Sequence, residues 1–405
     1  MADAIDFQHR DLLNDLNRKA SVSEKIAFLH RVVRQHCPFV HRIGVAVYDP
    51  DTDTLKTFAH STEGTNPLPN YLCKLSEAKS LYQIHIDGRP RVINDMTLIK
   101  GQREHSRRLK AHGFRSSYTM PTYHNGKLTG FVFFNSREAW AFEEGSLSYL
   151  DMIARLVALL VGVELQQVQT LYGALRMATS FSGHKDPETG AHLERMARFS
   201  HLIAHQVASR YRLDDEFVEG IFWFAPMHDV GKIAIPDYIL RKPGKLTVDE
   251  FEIMKTHATK GRAMITAMLG NFNLDRSGLA DMIGNIAEYH HENVDGSGYP
   301  RGLRGDEIPV EARIVAVADV FDALTSKRCY KPAWSNQEAA EALQGMASWK
   351  LDAVCVSALC ENLDKVEEIQ ALFQDEHESD HAHAEGKCAR PPHVPESRSI
   401  LEAVR

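Results

Sequence analysis

Hydrophobic and polar positions change rhythm twice along the chain. Over 22–36 the apolar residues Ile26, Leu29, Val32 and Val33 recur at helical spacing. Ser21 and Glu24, just ahead of them, have the spacing of a capping box, so a helix is expected there. The stretches 42–48 (RIGVAVY) and 55–59 flank the turn-rich DPDTDT, and 117–123 and 128–134 flank Asn125-Gly126. Both arrangements predict β-hairpins, the second through the dipeptide best suited to a two-residue turn. Between them, 91–93 reads as a short strand and 104–112 as a helix. Helices bracketing an antiparallel sheet predict an α+β module over residues 21–160, preceded by a helical extension over 1–20.

From about residue 143 to 180 the pattern is that of one long connecting helix. Leu150, Ile153, Val157, Leu160, Val168, Leu171 and Leu175 recur mostly at intervals of three and four, with Glu164 and Gln167 interrupting the stripe. Two readings stand side by side: a helix packed on its own domains, or one that pairs with a second copy and joins a sensor to an effector. From 170 to 373 almost everything reads as helix, with loops gathered around Gly and Pro. The remainder, 374–405, is polar and rich in His, Asp and Glu. It lacks the apolar content to bury a core and is expected to be disordered, with His377, His381 and His383 solvated.

A chain of 405 residues is too long for one ordinary domain, and 43% hydrophobic with 25% charged residues describes a soluble globular protein. The formal net charge of -7 argues against a general DNA or RNA binder, which needs a basic face. Six scattered cysteines without a CxxC pair read as free thiols in a reducing compartment. The start, MADAIDFQHRDLL, is not signal-like, and the longest apolar run, within 156–165, falls far short of the ~20 residues of a membrane helix. A cytoplasmic protein without a membrane partner is expected.

The chemistry is concentrated in the helical half. Asp186-Pro187-Glu188 suits a helix start, Asp186 as N-cap and Pro187 at the first helical position, which puts Glu188 and His192 on one face four residues apart. His228-Asp229 follows in MHDVGKIAIPD; as helical neighbours the two would embrace a metal cluster, and Lys232, four beyond His228, would return to the same face. His257 comes next in MKTHATKG, then His290-His291 in EYHHENVDGSGYP, and Asp319 in VAVADVFDALTS. A lone buried His or Asp is usually a hydrogen-bonded structural group, and Asp186 could serve its helix alone. Two His-containing doublets on apolar segments are costly unless something neutralises them, and metal ions do so. Imidazole and carboxylate without cysteine suit Fe or Mn better than structural zinc. Gly296 and Gly298 let backbone approach a substrate or a partner, or simply close a tight turn that Pro300 stiffens.

In family order, the strings HKDPETGAH, HDVGKIAIPDYILRKPGKLT, HHENVDGSGYP and DVFDALTSKRCYKPAW resemble the HD-GYP family of cyclic dinucleotide phosphodiesterases, within the HD phosphohydrolase superfamily. The order of elements over 21–160 resembles a GAF domain. The resemblance implies a multidomain chain: a GAF-like α+β sensor joined by the long helix to an all-α HD-GYP domain. It implies that Glu188, His192, His228, Asp229, His257, His290, His291 and Asp319 hold two or three divalent ions, Fe or Mn, the third depending on Glu188. Lys232, Arg328 and Lys331 would contact substrate phosphates, Asp186 could give a proton to the leaving oxygen, and Gly298, Tyr299 and Pro300 would face substrate or signalling partners. The implied reaction opens cyclic di-GMP to pGpG, with the further step to GMP left open, cyclic GMP-AMP as the rival substrate and a non-catalytic receptor as the rival class; a homodimer through the connecting helix goes with it. Two features depart from the family pattern: Cys329 stands where Pro is common, and the stretch from His257 to His290 is long. Cys73, His60 and His85 are isolated, and the ligand of the GAF-like part is left open.

Overall fold

The computed structural model describes residues 11–18, 20–99, 103–181, 190–271, 278–326 and 333–374. Their contacts divide the chain into two units, essentially Met1–Leu171 and Tyr172–Arg405, with short exchanges at Asp214–Phe217 and Arg276–Gly278.

The first unit opens on helix α1 (Val22–His36). Ser21 accepts from the Glu24 amide while the Glu24 carboxylate accepts from the Ser21 amide, the reciprocal cap that the sequence predicted. Strands β1 (Arg42–Asp49) and β2 (Thr54–Thr62) pair across the DPDTDT turn; β3 (Leu72–Lys74), α2 (Lys79–Asp87) and β4 (Arg91–Ile93) follow. Helix α3 (Glu104–Ala111) is one residue shorter than expected, and β5 (Ser116–His124) and β6 (Lys127–Ser136) form the second hairpin. Its turn residues Asn125 and Gly126 sit at φ 49° and 77°, the left-handed pair that a two-residue turn demands. All pairings are antiparallel, and the sheet runs β3-β2-β1-β6-β5-β4. On one face Ala46, Leu55 and Phe131 of the sheet form a buried core with Leu75 and with Leu81 and Ile84 of α2.

Helix α4 (Glu144–Phe181) bears out the long helix. Leu150, Ile153, Val157 and Val168 of the expected stripe are buried, together with Ala154 and Val161, so the stripe packs into the protein. Within Glu144–Thr170 an 18-residue stretch has a mean hydropathy of 1.7, long and apolar enough to cross a membrane by composition, which the run within 156–165 had not suggested.

The second unit is helical: α5 (Gly190–Tyr211), α6 (Asp215–Phe224), α7 (Asp237–Leu240), α8 (Val248–Asn271), α9 (Gly278–Tyr289), α10 (Val310–Thr325), α11 (Asn336–Met346), α12 (Ala353–Cys360) and α13 (Leu363–Leu372). Helix α5 lies against α10, α12 and α13, and the Phe199 and Phe321 rings meet edge-on at 5.5 Å inside that contact. Buried Ile203, Val317, Leu343 and Leu359 continue this core. Short 3-10 turns at Ala225–Met227 and Val230–Ala234 join α6 to α7 and carry the His-Asp doublet.

Candidate metal centre

Five separate segments deliver the predicted side chains to one place. His192 comes from α5, His228 and Asp229 from the 3-10 junction, His257 from α8, His290 and His291 from the end of α9, and Asp319 from α10. Two groups result, Asp229 with His257, His290 and His291, and His192 with His228 and Asp319; within each, one donor atom per residue lies within 4.8 Å of the others. Asp229 links them. Its Oδ1 faces Nε2 of His257 at 3.1 Å and of His290 at 3.5 Å, while its Oδ2 lies 3.3 Å from Nε2 of His228.

Ring orientation is fixed from behind. Nδ1 donates to a backbone carbonyl in three cases: His228 to Ala225 at 2.9 Å, His257 to Met254 at 2.8 Å and His290 to Ile286 at 2.9 Å. A proton held on Nδ1 leaves the Nε2 lone pair as the group that points inward, the arrangement of a metal-ligating imidazole. The buried Nε2 atoms of His257 and His290 and Oδ1 of Asp229 complete no hydrogen bond. Buried polar atoms without partners are costly, so converging ones fit a divalent ion as the missing partner. Burial pushes the His291 pKa well below its ordinary value, and the neighbouring His290 and His257 push it the same way. Burial alone would raise Asp229; the Lys232 ammonium and the His228 ring outweigh it and hold the carboxyl well below the usual range. Neutral imidazoles and an ionised carboxylate are the forms that bind metal.

The His-Asp doublet is not helical, which corrects the expectation for Lys232. In a 3-10 turn the side chains at i and i+3 eclipse, so Lys232 returns to Asp229 and not to His228. Its Nζ stands 2.7 Å from Asp229 Oδ2. The junction is forced by packing: a Cβ on Gly231 would sit 1.9 Å from the carbonyl oxygen of His257 and 2.6 Å from the amide nitrogen of Gly261. Only glycine lets the turn lie close enough to α8 for His257 to meet Asp229.

The Gly298-Tyr299-Pro300 segment forms a wall of this centre. A Cβ on Gly298 would fall 2.3 Å from the Asn293 amide nitrogen and 2.5 Å from the His291 carbonyl oxygen, so of the readings open to this glycine the structure takes the tight turn. The ring of Tyr299 lies over His291, centroids 4.8 Å apart, and meets His257 edge-on. The loop hangs on Glu292, whose buried carboxylate accepts from the amides of Arg301 (2.6 Å), Gly302 (3.1 Å) and Leu303 (3.0 Å).

Glu292 was missed by the sequence reasoning, although it directly follows the His doublet. Asp322 was missed too. It accepts from Nδ1 of His192 at 2.7 Å and from Arg195 at 2.6 and 3.1 Å. Burial works against its ionisation, yet His192 and Arg195 hold its pKa down to about 2. The available signal was a second aspartate three residues after Asp319 on an otherwise apolar helix. Asp186, Glu188, Arg328 and Lys331 lie outside the described residues.

Residues 187–354 match the HD domain family and residues 24–161 the GAF domain family. The cyclic di-GMP phosphodiesterase response regulator RpfG of Xanthomonas campestris is 42% identical over 224 residues, 55% of this chain and 55% of the relative. A cyclic di-GMP phosphodiesterase of Thermotoga maritima is 39% identical over 217 residues, covering 54% and 55% of the two chains. A 3'3'-cGAMP-specific phosphodiesterase 2 of Vibrio cholerae is 40% identical over 188 residues, covering 46% and 34%. The chain spans about half the length of the first two of these relatives. An HD domain implies divalent metal binding, and the converging His and Asp side chains are of the kind that binding requires. With its antiparallel sheet matched in one half and its helices in the other, the chain is a multidomain protein in which a GAF domain precedes a helical HD domain.

Proposed function

We propose that the helical half is a metal-dependent phosphodiesterase that hydrolyses cyclic di-GMP to pGpG and onward to GMP, under the influence of the GAF domain. The observation that carries this reading is Asp229, which turns one oxygen toward each of two histidine groups. A carboxylate so placed suits a bridge between two ions, and His192, His228 and Asp319 on one side with His257, His290 and His291 on the other would complete their shells; Glu188 would add a third ion. Fe or Mn suits a nitrogen- and oxygen-only donor set. When bound, the ions would supply Lewis acidity and charge neutralisation at the scissile phosphate.

The chain's own groups would do the rest. Lys232, held beside Asp229, places a positive charge where phosphoryl oxygens gain charge. Arg328 and Lys331 would supply further phosphate contacts, Asp186 a proton for the departing 3′-oxygen, and Gly298, Tyr299 and Pro300 the wall against which substrate or a signalling partner rests. Free cysteines among the described residues accord with a cytoplasmic setting, and an exposed seam on α4 suits a homodimer.

Incubating the full chain with cyclic di-GMP and Mn or Fe, then analysing products, tests the reading. Accumulation of pGpG or GMP is expected, lost on chelation. Turnover of cyclic GMP-AMP alone would move the substrate to that of the Vibrio cholerae relative, and binding of cyclic di-GMP without any product would make the protein a receptor.

A further inference from the structure

The GAF domain holds a buried cation that the chemistry of the helical half does not use. Arg42 begins β1 and is only 3% exposed. Its Nη1 donates to Oδ1 of Asn135 on the paired strand β6 at 3.0 Å, while its buried Nε completes no hydrogen bond. Room for the guanidinium is made by Gly44, two residues on along β1. A Cβ there would stand 2.3 Å from Nη1 and 2.7 Å from Cζ, so any other residue would displace the group. Opposite Gly44 on β2 is His60, whose pKa burial lowers to about 4, helped by Arg42, so no second cation competes. Burial lowers Arg42 itself to about 10, which leaves it charged at neutral pH; Asp215, in the same compact unit, is the carboxylate whose field favours that charge.

Arg42 is one of the residues that line a cavity. Leu55, Leu81 and Phe133 give the cavity an apolar wall, and Arg42 and Asn135 belong to its lining together with Thr57, Tyr71 and His105. The cavity volume is about 50 Å³, roughly three to five times the ~10–15 Å³ that one water occupies by the same measure. That is space for a ligand of a few heavy atoms and not for a nucleotide or a tetrapyrrole. A small, mainly apolar chamber with one buried cation in its lining suits a molecule of the same make-up, a short alkyl body ending in an anion. Guanidinium presents a planar fork of donors that matches carboxylate oxygens.

We propose that the GAF cavity binds a short-chain monocarboxylate, its alkyl body against Leu55, Leu81 and Phe133 and its carboxylate on Arg42. The site does not depend on the phosphodiesterase reading, and its test needs no turnover. Thermal unfolding and calorimetric titration of the full chain with propionate and butyrate, at fixed ionic strength, are set against propionamide and butyramide, which have the same shape without charge. The acids are expected to bind saturably and raise the melting temperature, with the amides at least tenfold weaker. Arg42→Gln should remove the difference between acid and amide. Equal responses to acid and amide, or no saturable response to either acid, would overturn the proposal and leave Arg42 as the counter-charge of Asp215 alone. If Arg42→Gln does not fold, the comparison of acid with amide on the native chain still decides.

Discussion

Lys232 meets the centre at Asp229 and Asp322 meets it at His192, and each lends itself to a single-residue test. Lys232 sits at 2.7 Å from Asp229 Oδ2, so it can neutralise charge beside the metal site without being a ligand. Lys232→Ala should lower kcat by about 10²–10³, equivalent to about 2.7–4 kcal/mol by analogy with removal of one oxyanion donor, while metal content stays near normal. Steady-state rates beside metal analysis check this, and wild-type turnover in the variant would remove Lys232 from the chemistry. Asp322 bears on the His192 group through that histidine. It fixes His192 through Nδ1 and is itself clamped by Arg195. Asp322→Asn keeps the shape but loses the charge that holds the ring, and weaker binding at the His192 group is expected, by about 10–100-fold as for other partners behind a ligating histidine. A metal titration that matches wild type would make Asp322 a purely structural partner of Arg195.

Elements decide whether those side chains meet, and the 3-10 junction is the clearest case. Gly231 lies so close to α8 that an added methyl group would overlap the His257 carbonyl. Gly231→Ala should therefore push α8 away, cost about 1–3 kcal/mol in stability as overpacking does, and weaken metal binding with it. A melting curve read together with a metal titration would show both losses, and an unchanged titration would mean that His257 tolerates the shift. The same junction marks the limit of what the sequence could show. Both hairpins, the capping box at Ser21 and the helix from residue 144 were legible because each is written in local residues: a turn dipeptide, a cap pair, a run of apolar spacing. Residues 228–234 look helical by their apolar content, but Pro226, Gly231 and Pro236 surround them, and tertiary contact with α8 selects the tighter turn. Residue types and spacing marked the seven described ligand candidates as a set that metal ions would neutralise, and the resemblance of their strings to the HD-GYP family made them ligands. The roles of Asp322 and Glu292 could not be read there, because a supporting carboxylate is defined by what it touches, here a ring and three amides far along the chain.

At the scale of the whole molecule, α4 has apolar residues on two sides. Leu150 and Val157 are fully buried, which anchors one side in the protein and opposes reading the helix as a membrane span, since insertion would pull them from that core. On the other side Met152, Leu159 and Val163 are 65%, 66% and 55% exposed, with Leu156 half-buried between them. Their spacing of four, three and four is that of a coiled-coil seam, and a second copy of α4 is the occupant with matching periodicity. Covering a side chain of this size is worth about 1.5–3 kcal/mol when complete, so two such seams facing each other would stabilise a dimer substantially. Light scattering and sedimentation should find the native chain dimeric at micromolar concentration, and Leu159→Glu with Val163→Glu should make it monomeric, because like charges would then face one another in an apolar contact. The two substitutions lie outside both histidine groups, so metal content should not change. A native chain that is monomeric at these concentrations, or a double variant that stays dimeric, would take the homodimer off α4; monomers that keep their metal but lose the response of turnover to a GAF ligand would instead show that the paired helices carry the signal.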